Sequence, residues 1–300
     1  MKQDRAPMLP SLADDVDVET TPAFHGPKVP APRGAAPFPW ERMFLAGHSW
    51  LVYFFLYAPI VILIVLSFNA GRHASSWEGF SFRWYEKLLE NKLLLRSVKN
   101  SLLVAGATTV LSTTIGTLAA LALGRSSFRG KGVTQAALFL PIIIPEIVLG
   151  AALVTFFGAI QFRLSIWTVI LAHVAFSISY VAIVVRARLA GFDRSMEEAA
   201  MDLGAGPIAT FCRVTLPLIL PGIVAGALLV FTISIDDYVI TSFVAGVGAT
   251  TLPLQIYSMI KVGVTPEVNA VSTLLLLFTV LMIVVAQRLQ QPAAETGEKK

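Results

Sequence analysis

RARLAGFDRSMEEAAMDLGAGPIATFCRVTLPLILPG, residues 186–222, is too polar to lie in hydrocarbon, yet apolar runs bound it on both sides. IWTVILAHVAFSISYVAIVV (166–185) precedes it and GIVAGALLVFTISIDDYVITSFV (222–244) follows. Glu197 to Asp202 favours a helix, Gly204-Ala205-Gly206 stops it, and Pro207 suits the first turn of the next. The stretch therefore predicts a short helix, a turn and a second short helix, held at a membrane surface by spans on either side.

The two flanking runs belong to a larger pattern. Of 300 residues, 55% are hydrophobic and 14% charged, more apolar than an ordinary soluble domain. The apolar residues gather in blocks of about twenty, the length an α-helix needs to cross roughly 30 Å of hydrocarbon. Six such blocks are read as spans: Trp50–Phe68, Ser101–Leu123, Val133–Phe157, Ile166–Val185, Gly222–Val244 and Val268–Ala286. Unbroken runs such as IVILIVL and LLLLFTVLMIVV exclude the alternating pattern of a barrel strand, which leaves an all-α integral membrane protein.

Basic residues orient the bundle. Arg125, Arg129 and Lys131 follow the second span, and Arg186, Arg188, Arg194 and Arg213 follow the fourth, so both loops are expected in the cytoplasm. The loops after the third and fifth spans hold only Arg163 and Lys261, although the first external loop is rich in both charges. Six spans then put both termini in the cytoplasm. Residues 1–47, with many prolines and the acids Asp14, Asp15, Asp17 and Glu19, are expected to be a disordered tail without a cleaved signal. Residues 48–100 hold the first span and an external loop, 101–287 the core, and 288–300 a second tail. In the external loop FSFRWYEKLLENKLLL is amphipathic, which suits a helix along the membrane surface that receives a partner or plugs the outer end of the bundle.

Several chemistries find no support. The lone Cys212 excludes an internal disulfide, and no histidine pair has metal-ligand spacing. The nearest approach to a phosphate loop, Gly124 to Lys131, has five residues between its glycines where four are needed, and Gly132 where serine or threonine is required. A DNA-reading helix-turn-helix fails as well: Pro207–Leu216 offers only Arg213 for contact, and membrane spans tether both ends, so no nucleic-acid partner is expected.

Three carboxylates fall inside the predicted spans: Glu146, Asp236 and Asp237. A carboxylate in hydrocarbon costs several kcal/mol unless it faces a partner or a wet cavity. Acids at similar depth on two helices suit a flexible organic cation, with Tyr238 or Phe231 adding cation–π contact. Adjacent helical residues diverge by about 100°, so Asp236 and Asp237 cannot both face one cavity, and one is left to pair elsewhere or cap a broken helix. Pro141 and Pro145 are expected to kink the third span just before Glu146. His173 reads as a hydrogen bonder between helices, and Gly222 and Gly226 as a site of close helix approach.

With those residues in view, the 186–222 segment resembles the EAA loop of ABC importer permeases: EAA, three residues, glycine, nine residues, isoleucine, one residue, leucine and proline. Glu198, Ala199, Ala200, Gly204, Val214, Leu216 and Pro217 stand at those positions, with Val214 the one departure. The resemblance implies a type I importer permease of six transmembrane helices whose coupling loop, 186–221, docks on a separate ATPase subunit. ATP and magnesium would then sit on that partner, and this chain would bind no cofactor and hydrolyse nothing. FRGK (128–131), GFD (191–193), SIDDYVITSFVAG (234–246) and LPLQIYSMIKVGVTPEVNA (252–270) further resemble the second permease of spermidine/putrescine importers. That likeness implies a second permease, two ATPase subunits and a periplasmic polyamine-binding protein in the bacterial inner membrane, with lipid around the spans. A permease for another small solute and a proton-coupled secondary transporter are the competing readings; the second leaves the EAA loop without a purpose.

Overall fold

The computed structural model describes residues 39–72, 76–191 and 193–290. Most of the expected tails, residues 1–38 and 291–300, and Phe192 of the GFD stretch lie outside them. The chain divides into residues up to Leu56 and residues from Tyr57 onward. Helix α1, Pro39–Leu66, starts in the first part and ends in the second. The expected tail thus gives way to helix at Pro39, earlier than residue 47, because proline suits a first helical position and no breaker stronger than Gly47 follows before Trp50.

In the second part a short helix α2, Arg83–Glu90, leads to α3, Lys92–Arg125. The second span was expected to start at Ser101 and instead begins nine residues earlier. Asn91 explains the division of the amphipathic run: its side chain accepts from Leu94 N at 3.2 Å and caps α3, while its amide donates to Glu267 at 3.1 Å. Helix α2 buries Trp84 and Leu88 and packs against α12, Pro266–Gln290.

The predicted third span is two helices, α4 (Lys131–Ile143) and α5 (Glu146–Ala159), bent by 110° at Ile144–Pro145. The expected kink is therefore a full break, because Pro145 cannot donate to the carbonyl four residues back and forces Ile144 out of helical backbone (ψ 130°). Helix α6, Ile166–Ala190, follows, and then α7, Ser195–Asp202. The segment after the turn starts as α8, Pro207–Thr210, widens into one π turn at Phe211–Thr215, and continues without interruption as α9, Leu216–Asp236. The second short helix of the loop is thus the first turn of the fifth span, which runs 30 residues from Pro207 to Asp236. Pro217 has no N–H and its ring crowds the carbonyl four residues back; the widened turn just ahead of it relieves that conflict. Two further helices, α10 (Val239–Val244) and α11 (Leu252–Val262), precede α12. Counting α4 and α5 as one, six spans result among the described residues, as composition predicts.

Helices α3, α6 and α9 form the centre, with α12 against α9 and α5 against α10. Small residues let them approach. The buried face of α3 carries Ser101, Ala105, Thr108, Ser112, Gly116 and Ala120 at helical spacing. A Cβ on Gly116 would lie 2.7 Å from Val181 Cβ of α6, and one on Gly222 would lie 2.9 Å from Arg188 Cβ. Gly226 meets Val181 next to it, so Gly222 and Gly226 do mark close helix contact.

Candidate functional site

The loop between α6 and α9 opens at Asp193, whose carboxylate accepts from Ser195 N at 2.9 Å; that bond holds its pKa below the ordinary carboxylate value. Helix α7 ends on Gly204, whose φ of +88° no other residue adopts without strain. Glu198 and Ala199 are exposed and Ala200 is half-buried. Beside them Met196, Met201, Leu203 and Ile208 also face out, Leu203 being 90% and Ile208 81% exposed. Val214 and Leu216 are half-buried and Pro217 exposed at the start of α9. The loop thus presents an uncovered apolar surface with the exposed carboxylates Glu198 and Asp202 on α7.

The neighbouring Glu197 has a different task, which the motif does not reveal. It is only 15% exposed, accepts from Arg125 at the end of α3, and accepts from the Thr215 hydroxyl where α9 begins. One side chain therefore ties the loop helix to two central helices. Arg125 counted in the sequence only as a topology signal; its place in the loop after the second span, on the same side as Glu197 in the loop after the fourth, was the available clue.

The intramembrane acids part, though not by helical divergence: the fifth span, expected to run to Val244, ends at Asp236, and Asp237 is extended (ψ 124°). Asp237 is buried, with its side chain 6% exposed. It accepts from Thr241 N at 2.8 Å and Thr241 Oγ1 at 2.7 Å, and lies 3.2 Å from His173 Nε2. His173, fully buried on α6, also meets Ser234 Oγ at 2.8 Å and Thr241 Oγ1 at 3.0 Å. Asp237 thus caps α10 and joins it to α6, and His173 is the interhelical hydrogen bonder expected.

Asp236 is exposed and makes no hydrogen bond or ion pair among the described residues. It faces a cleft of about 450 Å³ with Tyr238, Tyr257, Ile60, Leu63 and Ile260. The rings of Tyr238 and Tyr257 are 4.5 Å apart, and the Lys261 ammonium sits 4.7 Å from the Tyr257 centroid. Phe231 packs instead against Phe278. Glu146 is exposed at the first position of α5, right after the break. One turn later Gly150 admits Phe243 of α10: a Cβ there would lie 2.6 Å from Phe243 Cδ2, too close to be tolerated.

Residues 112–292 match the model of the binding-protein-dependent transport system inner membrane component. The chain belongs to that family. It is 44% identical over 248 residues to the spermidine/putrescine transport system permease protein PotC of Haemophilus influenzae, covering 82% of this chain and 96% of that one. Against PotC of Escherichia coli K12 the identity is 41% over 261 residues, covering 86% and 99%. The putrescine transport system permease protein PotI of the same strain is 42% identical over 246 residues, covering 79% and 86%. Among solved structures, a bacterial ABC transporter involved in the import of the acidic polysaccharide alginate matches with a TM-score of 0.67 at 17% identity, covering 83% of this chain and 96% of that chain. The MetNI methionine ABC transporter matches with a TM-score of 0.58 at 21% identity, covering 68% and 97%. These likenesses fix the fold as that of an ABC importer permease.

Proposed function

We propose that this chain is the permease subunit of an ATP-driven ABC importer and that, with a second permease, it forms the path for polyamines delivered by a periplasmic binding protein. The observation that carries the reading is the near full-length identity of 41 to 44% to permeases named for spermidine and putrescine. It sits in the bacterial inner membrane with both termini cytoplasmic. ATP and magnesium are held by the partner ATPase, and this chain binds no cofactor and hydrolyses nothing.

Each end of the bundle has its chemistry. At the cytoplasmic end Glu198, Ala199, Ala200 and Gly204 dock on the ATPase, small side chains admitting close approach, while Val214, Leu216 and Pro217 hand the motion to α9. Exposed Met196, Leu203 and Ile208 supply apolar contact, in keeping with an interface core. At the outer end Asp236 and Tyr238 line the substrate path, and Glu146 borders it at the α4–α5 break. Lys261 over Tyr257 supports the idea that these rings take a primary ammonium. Asp237, already engaged by Thr241 and His173, holds the site together and does not meet substrate.

The test is uptake of labelled spermidine and putrescine by the reconstituted complex with its binding protein. ATP-dependent accumulation of either amine is expected. Failure to accumulate both, in a complex that hydrolyses ATP on addition of another loaded binding protein, refutes the polyamine assignment.

A further inference from the structure

At the end of the bundle that carries the 186–222 loop, the last turn of α3, the first residue of α4 and the last turns of α6 enclose a cleft of about 310 Å³. Arg125, Lys131, Arg186 and Arg194 line it, over apolar Leu123 and Leu189. Four cations face one carboxylate: Glu197 pairs with Arg125, and among the described residues the other three have no ion pair. What they do have neutralises none of their charge. Lys131 Nζ donates to Ser126 O at 2.9 Å, Arg194 reaches Gly124 O only at 3.5 Å, and the Arg186 guanidinium lies 5.6 Å from the Phe139 ring centroid.

Like charges gathered in one cleft repel, and a bound anion relieves that repulsion. Two guanidinium forks with an ammonium match the oxygens of a phosphate group better than a single carboxylate. The leucine floor and the position at the ends of two apolar helices set the cleft at the boundary between lipid and water, where basic pockets between spans take phosphate head groups.

We propose that this cleft is a phosphate-binding site, its ligand the phosphate ester of an anionic phospholipid, and that occupancy braces α3, α4 and α6 beside the Arg125–Glu197 link. The proposal does not depend on the polyamine reading, since its test reads binding and not uptake.

The experiment places the assembled transporter in nanodiscs of phosphatidylcholine alone, or of phosphatidylcholine mixed equally with phosphatidylglycerol. Native mass spectrometry then measures lipid retained on the permease. Wild type should retain phosphatidylglycerol over phosphatidylcholine by about tenfold, and the Arg186→Gln/Lys131→Gln double variant should lose that preference. In a third arm inorganic phosphate is titrated into the phosphatidylcholine discs and thermal unfolding recorded. A rise in melting temperature in wild type but not in the double variant supports the site with soluble phosphate as its source. Should the double variant fail to assemble, Arg194→Gln, on an exposed residue, carries the comparison with about a threefold loss. Wild type indifferent to both phosphatidylglycerol and phosphate, or a variant that responds as wild type does, overturns the proposal.

Discussion

Asn in place of Asp236 and of Asp237, made separately, distinguishes a residue that meets substrate from one that holds the helices. Asp237 receives two hydrogen bonds from Thr241, at 2.8 and 2.7 Å, and faces His173 at 3.2 Å, with its side chain 6% exposed. Hydrogen bonds to an ionised group contribute about 1.5 to 3 kcal/mol each. Both Thr241 bonds fall on Oδ2, so asparagine can keep them with its one oxygen, but it loses their charge assistance and turns an N–H₂ toward Ile240 N, 3.4 Å from Oδ1, so Asp237→Asn should cost about 2 to 4 kcal/mol. For a chain of this size that is roughly a 5 to 15 °C fall in melting temperature. Asp236 is exposed and unbonded, so Asp236→Asn should leave stability within about 0.5 kcal/mol. Its effect should fall on transport, where loss of one charge-assisted contact weakens amine binding by about ten- to a hundredfold. The assay compares thermal unfolding of the purified complex with polyamine uptake at equal surface abundance. If both variants melt with wild type, the capping role of Asp237 is wrong. If Asp237→Asn melts normally but abolishes uptake, it is Asp237 that lies on the path.

Other expectations follow from the same geometry. Glu198→Lys, on an exposed residue, should reduce ATP-driven uptake while the permease still inserts; normal uptake would count against the docking assignment. A double-mutant cycle of Arg125→Gln and Glu197→Gln, read by thermal unfolding, should give a coupling energy of about 1 kcal/mol, and strict additivity would dismiss the link. Gly246→Ala should destabilise by about 3 kcal/mol or more, since its Cβ would fall 1.9 Å from Leu164 O, whereas Gly106→Ala, with open space around it, should be neutral or stabilising in the same melt.

What could be read from the sequence was whatever depends on composition and local spacing. Runs such as IVILIVL are long and apolar whatever surrounds them, so the spans were legible, and Glu198 to Gly204 spelled out the loop and its turn. Boundaries were less so. Asn91 and Pro207 move helix starts by nine and fifteen residues beyond the apolar blocks, because helical backbone continues into polar sequence once a cap or a first-turn proline allows it. Pro141 and Pro145 announced a disturbance but not its 110° size, which the packing of α5 against α10 sets. Pairings across distance were hidden altogether. Glu197 is 72 positions from Arg125, and Asp237 is 64 from His173, and no local period links them.

These distant pairs have a mechanical consequence for α6 and α9. Near the loop, Arg188 Nε donates to Leu218 O at 3.2 Å, and Gly222 lets the two backbones close on each other there. At the far end, His173 of α6 joins Ser234 of α9 at 2.8 Å. Fastened at both ends, the two helices are expected to move as one body, because sliding either past the other would break the exposed Arg188 bond and leave buried His173 and Ser234 without partners. Helix from Pro207 to Asp236 spans about 45 Å at 1.5 Å per residue, so displacement of the loop reaches the Asp236 cleft through continuous helix, its bend-prone points, the π turn, Pro217 and Pro221, all lying in the half nearer the loop. The breaks lie elsewhere, at Ile144–Pro145 and at Asp237–Tyr238, each beside an acid assigned to the path. Backbone change is therefore cheapest where Glu146 and Asp236 sit and most costly along the helices that carry motion to them, the distribution that alternating exposure of a cation site requires.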